Sequence, residues 1–328
     1  MSKQQHKGLV AGIDLGGTNI AAGIVDEKGK MVGAQKRKTK ASLGRDAVVD
    51  RIVETLGRAC EVANCAPTDL TAVGIGVPGV IDFDDGVVIN SGNLGWKDEP
   101  IRDLLSKRLK VPVTVDNDAN LAAFGEATLG AARGWKDVLA VWVGTGIGGG
   151  LVLGGEIYRG PMHTAGEIGY MLLMPRGGVG RRTVEDHCSR VAMVRAMETI
   201  AGFHPESAMR AALANRVDGE LIGSSTIAKA YEDGDELCRK VVDDAADLLG
   251  IAIANIVTLM SVRAVVIGGG VAEAMPSRYI DRIRDSFEMS VFPSTLKKCR
   301  IVRSELGGDA GILGAAMLAR GGGIANDS

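Results

Sequence analysis

Apolar positions fall into short runs cut by glycine in some stretches and recur at helical spacing in others, so strands and helices alternate. Val10–Asp14 and Ile20–Val25 predict two strands joined as a hairpin by the turn Gly16-Gly17-Thr18-Asn19, and "MVGAQKRK" predicts a third strand at a sheet edge. Val48, Ile52, Leu56 and Cys60 share one face of a helix over Asp46–Asn64, which ends before Pro67. The run "TAVGIGVPGVID" reads as a strand entering a glycine-proline turn. Pro100–Lys110 reads as a helix and "VPVTVDNDA" as another strand.

The pattern then restarts. "DVLAVWVGTGIGGGLVLGGEIYRG" is again strand, glycine-threonine turn, strand, beside "LVAGIDLGGTNIAAGIVDEKGKMVG" in the first half. Helices are expected at Glu185–Ile200, Ser207–Ala214, Thr226–Tyr231 and Glu236–Met260. Next come a strand "RAVVIGGG", a helix Ser277–Ser286, a strand "CRIVRSEL" and a last helix Asp309–Arg320. Two halves built on similar hairpins point to an internal duplication, with a ligand cleft expected between two lobes.

Composition narrows the function. The 328 residues carry a net charge of −2, which favours neither a nucleic-acid backbone nor an anionic membrane surface. No run reaches the ~20 apolar residues that span a bilayer. The opening "MSKQQHKGLVAGIDLGG" lacks the apolar core of a signal peptide, so a cytoplasmic protein is expected. Cys60, Cys65, Cys188, Cys238 and Cys299 are scattered without Cys-x-x-Cys spacing and read as reduced thiols. Glycine is the outlier at 46 residues, about twice its usual share of roughly 7%.

Those glycines gather in three turns after apolar strands: Gly16-Gly17-Thr18, Gly144-Thr145-Gly146 and Gly268-Gly269-Gly270. Glycine lets backbone N–H groups converge on an anion, and threonine adds a hydroxyl. Neither the Walker pattern nor the dinucleotide fingerprint fits. One such turn alone is a plain hairpin; three, one of them preceded by Asp14, suggest a phosphate site in which Asp14 holds Mg²⁺ through waters. In "VTVDNDANLAAFGEA" a strand delivers Asp116, Asn117 and Asp118 to an Ala-rich helix. A helix N-cap would account for one of the three. The surplus favours Asp118 as acceptor of a substrate hydroxyl proton, with Asn117 bonding a neighbouring hydroxyl.

The segments "GIDLGGTN", "GIGVPGVID", "NLGW", "DNDANLAAFGEA", "GTGIGGGLV", "GPMHTAGEIG" and "IGGGV" occur in an order and spacing that resemble the ROK sugar kinases, the bacterial glucokinase-like group of the actin/hexokinase-like superfamily. The resemblance runs from about Val10 to Arg320. It implies a two-lobed α/β actin-like ATPase (ribonuclease H-like) fold, each lobe a mixed sheet flanked by helices. Residues 1–117 with 309–328 would form the smaller lobe and 118–308 the larger. It further implies ATP and Mg²⁺, a hexose as acceptor at its 6-hydroxyl with glucose first, and a homodimer. Asp118 would be the catalytic base. Gly79, Asn93, Asn117, Glu167 and Glu185 would bind or shape the sugar site, where Tyr170 stands in place of a family histidine that touches the sugar. Asp14, Gly16–Asn19 and Gly144–Gly146 would serve phosphates and metal, and Gly268–Gly270 the adenosine.

The sequence departs from the family at "GEIGYMLLMPRGGVGRRTVEDHC". Tyr170, Arg176, Gly178 and Thr183 stand where many members place the histidine and three cysteines of a structural zinc site, so no zinc is expected. Tyr170 either donates to a sugar hydroxyl or packs its loop. His163 reads as a solvated loop residue. Alternatives are a kinase for fructose, mannose or N-acetylmannosamine, and a non-catalytic sugar-binding regulator. Repressors of the family carry an N-terminal helix-turn-helix; fewer than a dozen residues precede the first motif here, so DNA binding is not expected. ATP and polyphosphate remain open as donors.

Overall fold

Val10–Leu15 (β1) and Asn19–Val25 (β2) pair antiparallel with Asp14 opposite Ala21, leaving the glycine turn at the hairpin tip. This is a computed structural model, and it describes residues 8–176, 178, 180–217 and 221–321. Met31–Lys38 (β3) adds to β2, while Ala72–Val77 (β4) and Val113–Asn117 (β8) add in parallel beyond β1, giving the order β3-β2-β1-β4-β8. β1 and β4 are buried almost throughout, whereas β3 alternates and turns Lys36 and Lys38 outward, as a protected edge does.

Helix Arg45–Val62 (α1) buries Val48, Val49, Ile52, Leu56, Ala59 and Cys60, the stripe its spacing foretold. Helices Asp118–Thr128 (α3) and Ala310–Ala319 (α11) pack on each other, and α11 lies on β1 and β4. Glycines permit this. A Cβ on Gly12 would come 1.7 Å from the Ile312 carbonyl oxygen, one on Gly74 1.9 Å from that of Ala315, and one on Gly314 1.7 Å from that of Leu121. Part of the glycine surplus therefore serves backbone-on-backbone packing rather than ligand turns. Val80–Asp82 (β5), Val87–Ser91 (β6) and Trp96–Glu99 (β7) form a small sheet in the order β5-β6-β7; the last two strands were not expected.

The second large sheet contains Val138–Val143 (β9), Ile147–Leu153 (β10), Glu156–Ile157 (β11), Ala264–Gly268 (β12) and Arg300–Arg303 (β13), in the order β11-β10-β9-β12-β13. Counted within each sheet, both read third-second-first-fourth-fifth, the topological counterpart of the repeat seen in the sequence. Glu236–Met260 (α8) packs against Ser277–Ser290 (α10). The helix expected over Glu185–Ile200 is two, Glu185–Cys188 (α4) and Arg190–Ile200 (α5). Ser189 is extended at φ −75°, ψ 160°, and its hydroxyl accepts the Ala192 N–H at 3.2 Å, so it caps the second helix instead of continuing the first.

The backbone divides into a unit of residues 1–138, 150–166 and 308–328 and a unit of 139–149 and 167–307. The first unit holds α3, which packs on α11, and residues 150–166; residues 1–7 and 322–328 lie outside the described ones. All five cysteines are free thiols, and no helix among the described residues is long and apolar enough to cross a membrane.

Candidate active site

The three acidic and amide residues where β8 runs into α3 have different surroundings. Asn117 is the N-cap of α3: its Oδ1 accepts the Asn120 N–H at 3.0 Å and its Nδ2 donates to the Gly79 carbonyl at 3.0 Å. Gly79 sits at φ +118°, where a Cβ would fall 2.1 Å from the Asn90 oxygen, so only glycine presents that carbonyl. Asp116 is structural. Its Oδ2 accepts from Arg159 Nε at 2.9 Å and Nη2 at 2.6 Å, and its Oδ1 accepts the Asn117 N–H at 2.7 Å and Asn120 Nδ2 at 3.3 Å. The Arg159 guanidinium lies 3.7 Å from the centroid of the Phe83 ring.

Asp118 takes neither of these positions. It is half-buried at the first turn of α3, and its Oδ1 accepts the Ala119 N–H at 2.9 Å. Burial raises its pKa above the ordinary carboxylate value, against the pull of the Ala119 and Asp118 N–H groups. Asp14, at the end of β1, is pushed up to about 6, first by burial and then by the charge of Asp118, with Lys36 pulling the other way. Gly76 on β4 lets this end of α3 come close: a Cβ there would be 3.2 Å from Asp118 Cα. The first turn of α11 closes on Asp14 from the other side, a Cβ on Gly311 falling 3.5 Å from Asp14 Cγ.

The Gly16–Asn19 turn is fixed by the Gly16 N–H donating to the Asn19 carbonyl at 2.8 Å. Thr39 clamps it, its hydroxyl donating to the Gly16 carbonyl at 2.6 Å and its N–H to the Thr18 carbonyl at 2.8 Å. Asn93 lies against the turn, 3.3 Å from a Cβ on Gly17. The first unit thus gathers Asp14, Gly16–Asn19, Gly79, Asn93, Asn117 and Asp118 around the carboxyl ends of β1, β4 and β8, where open α/β sheets place ligands. Thr39, Arg159 and Gly311 carried no local signal that could have found them.

In the second unit Ile147 is the hub. Its N–H donates to Glu185 Oε2 at 2.7 Å, and its carbonyl lies 2.4 Å from where a Cβ on Gly169 would be. The turn Gly144–Gly146, Glu185 and the short helical turn Ile168–Tyr170 that follows Glu167 are therefore neighbours. Tyr170 is 71% exposed, so it does not pack the loop. His163 is half-buried at φ +56° with Nδ1 shielded from solvent, not the solvated residue expected. Gly269, at φ +87°, opens an unexpected helix Gly269–Ala274 (α9), and a Cβ on it would be 2.7 Å from the Val143 oxygen. Gly268–Gly270 thus abuts the end of β9, next to Gly144.

The loop lacking the zinc ligands is held by hydrogen bonds. Asp186 Oδ2 accepts the N–H groups of Arg182 and Thr183, both at 3.0 Å, and Thr183 Oγ1 accepts the Asp186 N–H at 3.2 Å. Those N–H groups hold the Asp186 carboxyl below its usual pKa. Among the described residues no group of three or more His, Cys, Asp or Glu is placed to hold a metal.

Known proteins resemble this chain in sequence and fold. A glucokinase of Halalkalibacterium halodurans is 33% identical over 311 residues, covering 94% of both chains. A ROK family glucokinase of Streptomyces griseus, solved with glucose and AMPPNP, matches with a TM-score of 0.81 and 34% identity over 96% of this chain and 100% of that one. A ROK hexokinase of Thermus thermophilus matches at 0.77 and 32%, over 95% and 97%. These structural matches place the mixed, helix-flanked sheets in the actin-like ATPase class. The sequence profile of the ROK family spans residues 10–321, and with a third of the sequence shared along nearly the whole length, this chain belongs to the ROK family.

Proposed function

We propose that the protein transfers the γ-phosphoryl group of ATP to the 6-hydroxyl of a hexose, with glucose as first candidate. The observation that carries this reading is Asp118: a half-buried carboxylate of raised pKa, held at the start of a helix by Asn117 and Asp116 and set in the field of a second carboxylate, Asp14. The named activities of the relatives support it.

In this reading Asn117 and Asn93 position the sugar, and Glu167, Tyr170 and Glu185 bond its hydroxyls. Asp118 accepts the proton of the attacking hydroxyl as the new O–P bond forms and the bond to the β-phosphate oxygen breaks; ADP leaves and the proton passes later to solvent. Its raised pKa makes it a stronger base than an exposed aspartate. Gly16–Asn19 and Gly144–Gly146 offer N–H and hydroxyl donors to phosphate oxygens. Asp14 fits Mg²⁺: it and Asp118 are neighbouring, partly buried carboxylates that repel, and Asp14 would hold a divalent cation that would supply positive charge against them and the phosphates.

A coupled ADP-release assay over hexoses and N-acetylhexosamines tests the proposal. Turnover of glucose above the others is expected. Turnover of an amino sugar instead would move the substrate, and sugar binding without ADP release would replace the kinase by a binding protein.

A further inference from the structure

Arg190 meets the Gly144–Gly146 turn with both its backbone and its side chain. Its N–H donates to the Gly144 carbonyl at 2.9 Å, and its Nη2 donates to Thr145 Oγ1 at 2.8 Å. The peptide between Gly144 and Thr145 is trans, so fixing the carbonyl toward Arg190 aims the Thr145 N–H the opposite way. The hydroxyl is treated alike. It accepts from Arg190 through one lone pair, which leaves its single proton to be donated elsewhere. Both donors of Thr145 are thereby turned outward from the start of α5.

Charge points in the same direction. Arg190 is half-buried, and its Nε is shielded from solvent with no hydrogen-bond partner. Among the described residues no carboxylate is paired with it, while Glu185, five residues earlier, is bonded to the Ile147 N–H. A guanidinium stays charged at any working pH, and a partly buried cation without a counter-ion is costly unless an anion arrives.

We propose that Arg190 is the positioning residue and counter-charge of the second phosphate turn, holding Thr145 in its donor orientation for the phosphates of the nucleotide. This rests on the phosphoryl-transfer reading above. The chemistry it recognises is a nucleoside polyphosphate, and its contribution grows with the number of phosphates.

Calorimetric titration of the full chain with ATP, ADP and adenosine, for wild type, Arg190→Gln, Arg190→Lys and Thr145→Val, tests it. Arg190→Gln is expected to weaken ATP about 10- to 100-fold, ADP less, and adenosine not at all. In kinetics KM for ATP rises while KM for the sugar stays. Arg190→Lys falls between, since ammonium keeps the charge and loses the planar donor. Equal weakening of ATP and adenosine, or no weakening of either, overturns the assignment. Should Arg190→Gln not fold, Thr145→Val must show the same phosphate-dependent loss, and its absence overturns the proposal equally. If wild type binds no nucleotide, the kinase reading falls by itself. Inorganic tripolyphosphate then decides: binding to wild type that Arg190→Gln loses keeps Arg190 as an anion site, and equal behaviour removes it.

Discussion

The Asp116 carboxylate, 2% exposed, is clamped by Arg159 at 2.6 Å, and the same carboxylate receives the N–H of Asn117. The pair is thus the strut under the start of α3, one residue from Asn117 and two from Asp118. Removing Arg159 leaves a buried carboxylate without its cation, which typically costs about 3–5 kcal/mol. Arg159→Ala should lower the denaturation midpoint accordingly and reduce kcat. Asp116→Asn combined with Arg159→Gln should recover part of the stability, as no charge is then stranded. Equal stability of Arg159→Ala and wild type would show the strut to be idle.

Asp118→Asn keeps shape and volume but cannot take a proton. Steady-state turnover should fall by about 10²–10⁴-fold, the range of a general base, with sugar affinity by calorimetry nearly intact. Turnover within a few fold of wild type would remove Asp118 from that role.

Asp186 ties the loop before α4 through two backbone N–H groups, and Glu185 is its neighbour in sequence. Asp186→Ala should raise KM for the sugar with little change in KM for ATP, because the disturbance reaches Glu185 and Tyr170. A zinc chelator should leave the melting temperature unchanged. Stoichiometric zinc by metal analysis would contradict the hydrogen-bonded loop.

Asp235 caps α8, accepting the Cys238 N–H at 2.9 Å, the Met209 N–H at 3.1 Å and the Ser207 hydroxyl at 2.8 Å. Burial raises its pKa, but these donors outweigh burial and hold it below 3.8. A carboxyl more acidic when folded binds fewer protons there than when unfolded. Its stabilisation is therefore full above the unfolded value and fades as pH falls through the folded one. Asp235→Ala should cost about 1 kcal/mol at neutral pH, a typical cap loss, and that difference should shrink below pH 4 in denaturation curves. A difference independent of pH would rule out the ionised cap.

Gly314 sits inside α11, where alanine is intrinsically better by about 1 kcal/mol. Yet a Cβ there would be 1.7 Å from the Leu121 oxygen. Gly314→Ala should destabilise by about 1–3 kcal/mol or more in denaturant titrations, since α3 must move. A stabilised variant would mean the two helices are not in that contact.

Local chemistry settled much of this protein before any coordinates. The alternation at β3, the apolar stripe of α1 and the limits Glu236–Met260 of α8 follow from side-chain period and capping, which are properties of neighbouring residues. So do the glycine turns after β1, β9 and β12, and the aspartates set beside strand ends. Tertiary structure alone decided the rest. The sequence set Asp118 apart from its neighbours but left Asp116 without a task; Arg159, forty-three residues on from Asp116, and Gly79, thirty-eight residues before Asn117, make those two strut and cap. Glycines read as ligand turns proved partly to be seats for α11, and Arg190 acquired its place from a turn forty-five residues away. Such roles depend on which distant groups meet at a burial site, and the spacing of residues along a chain does not encode that meeting.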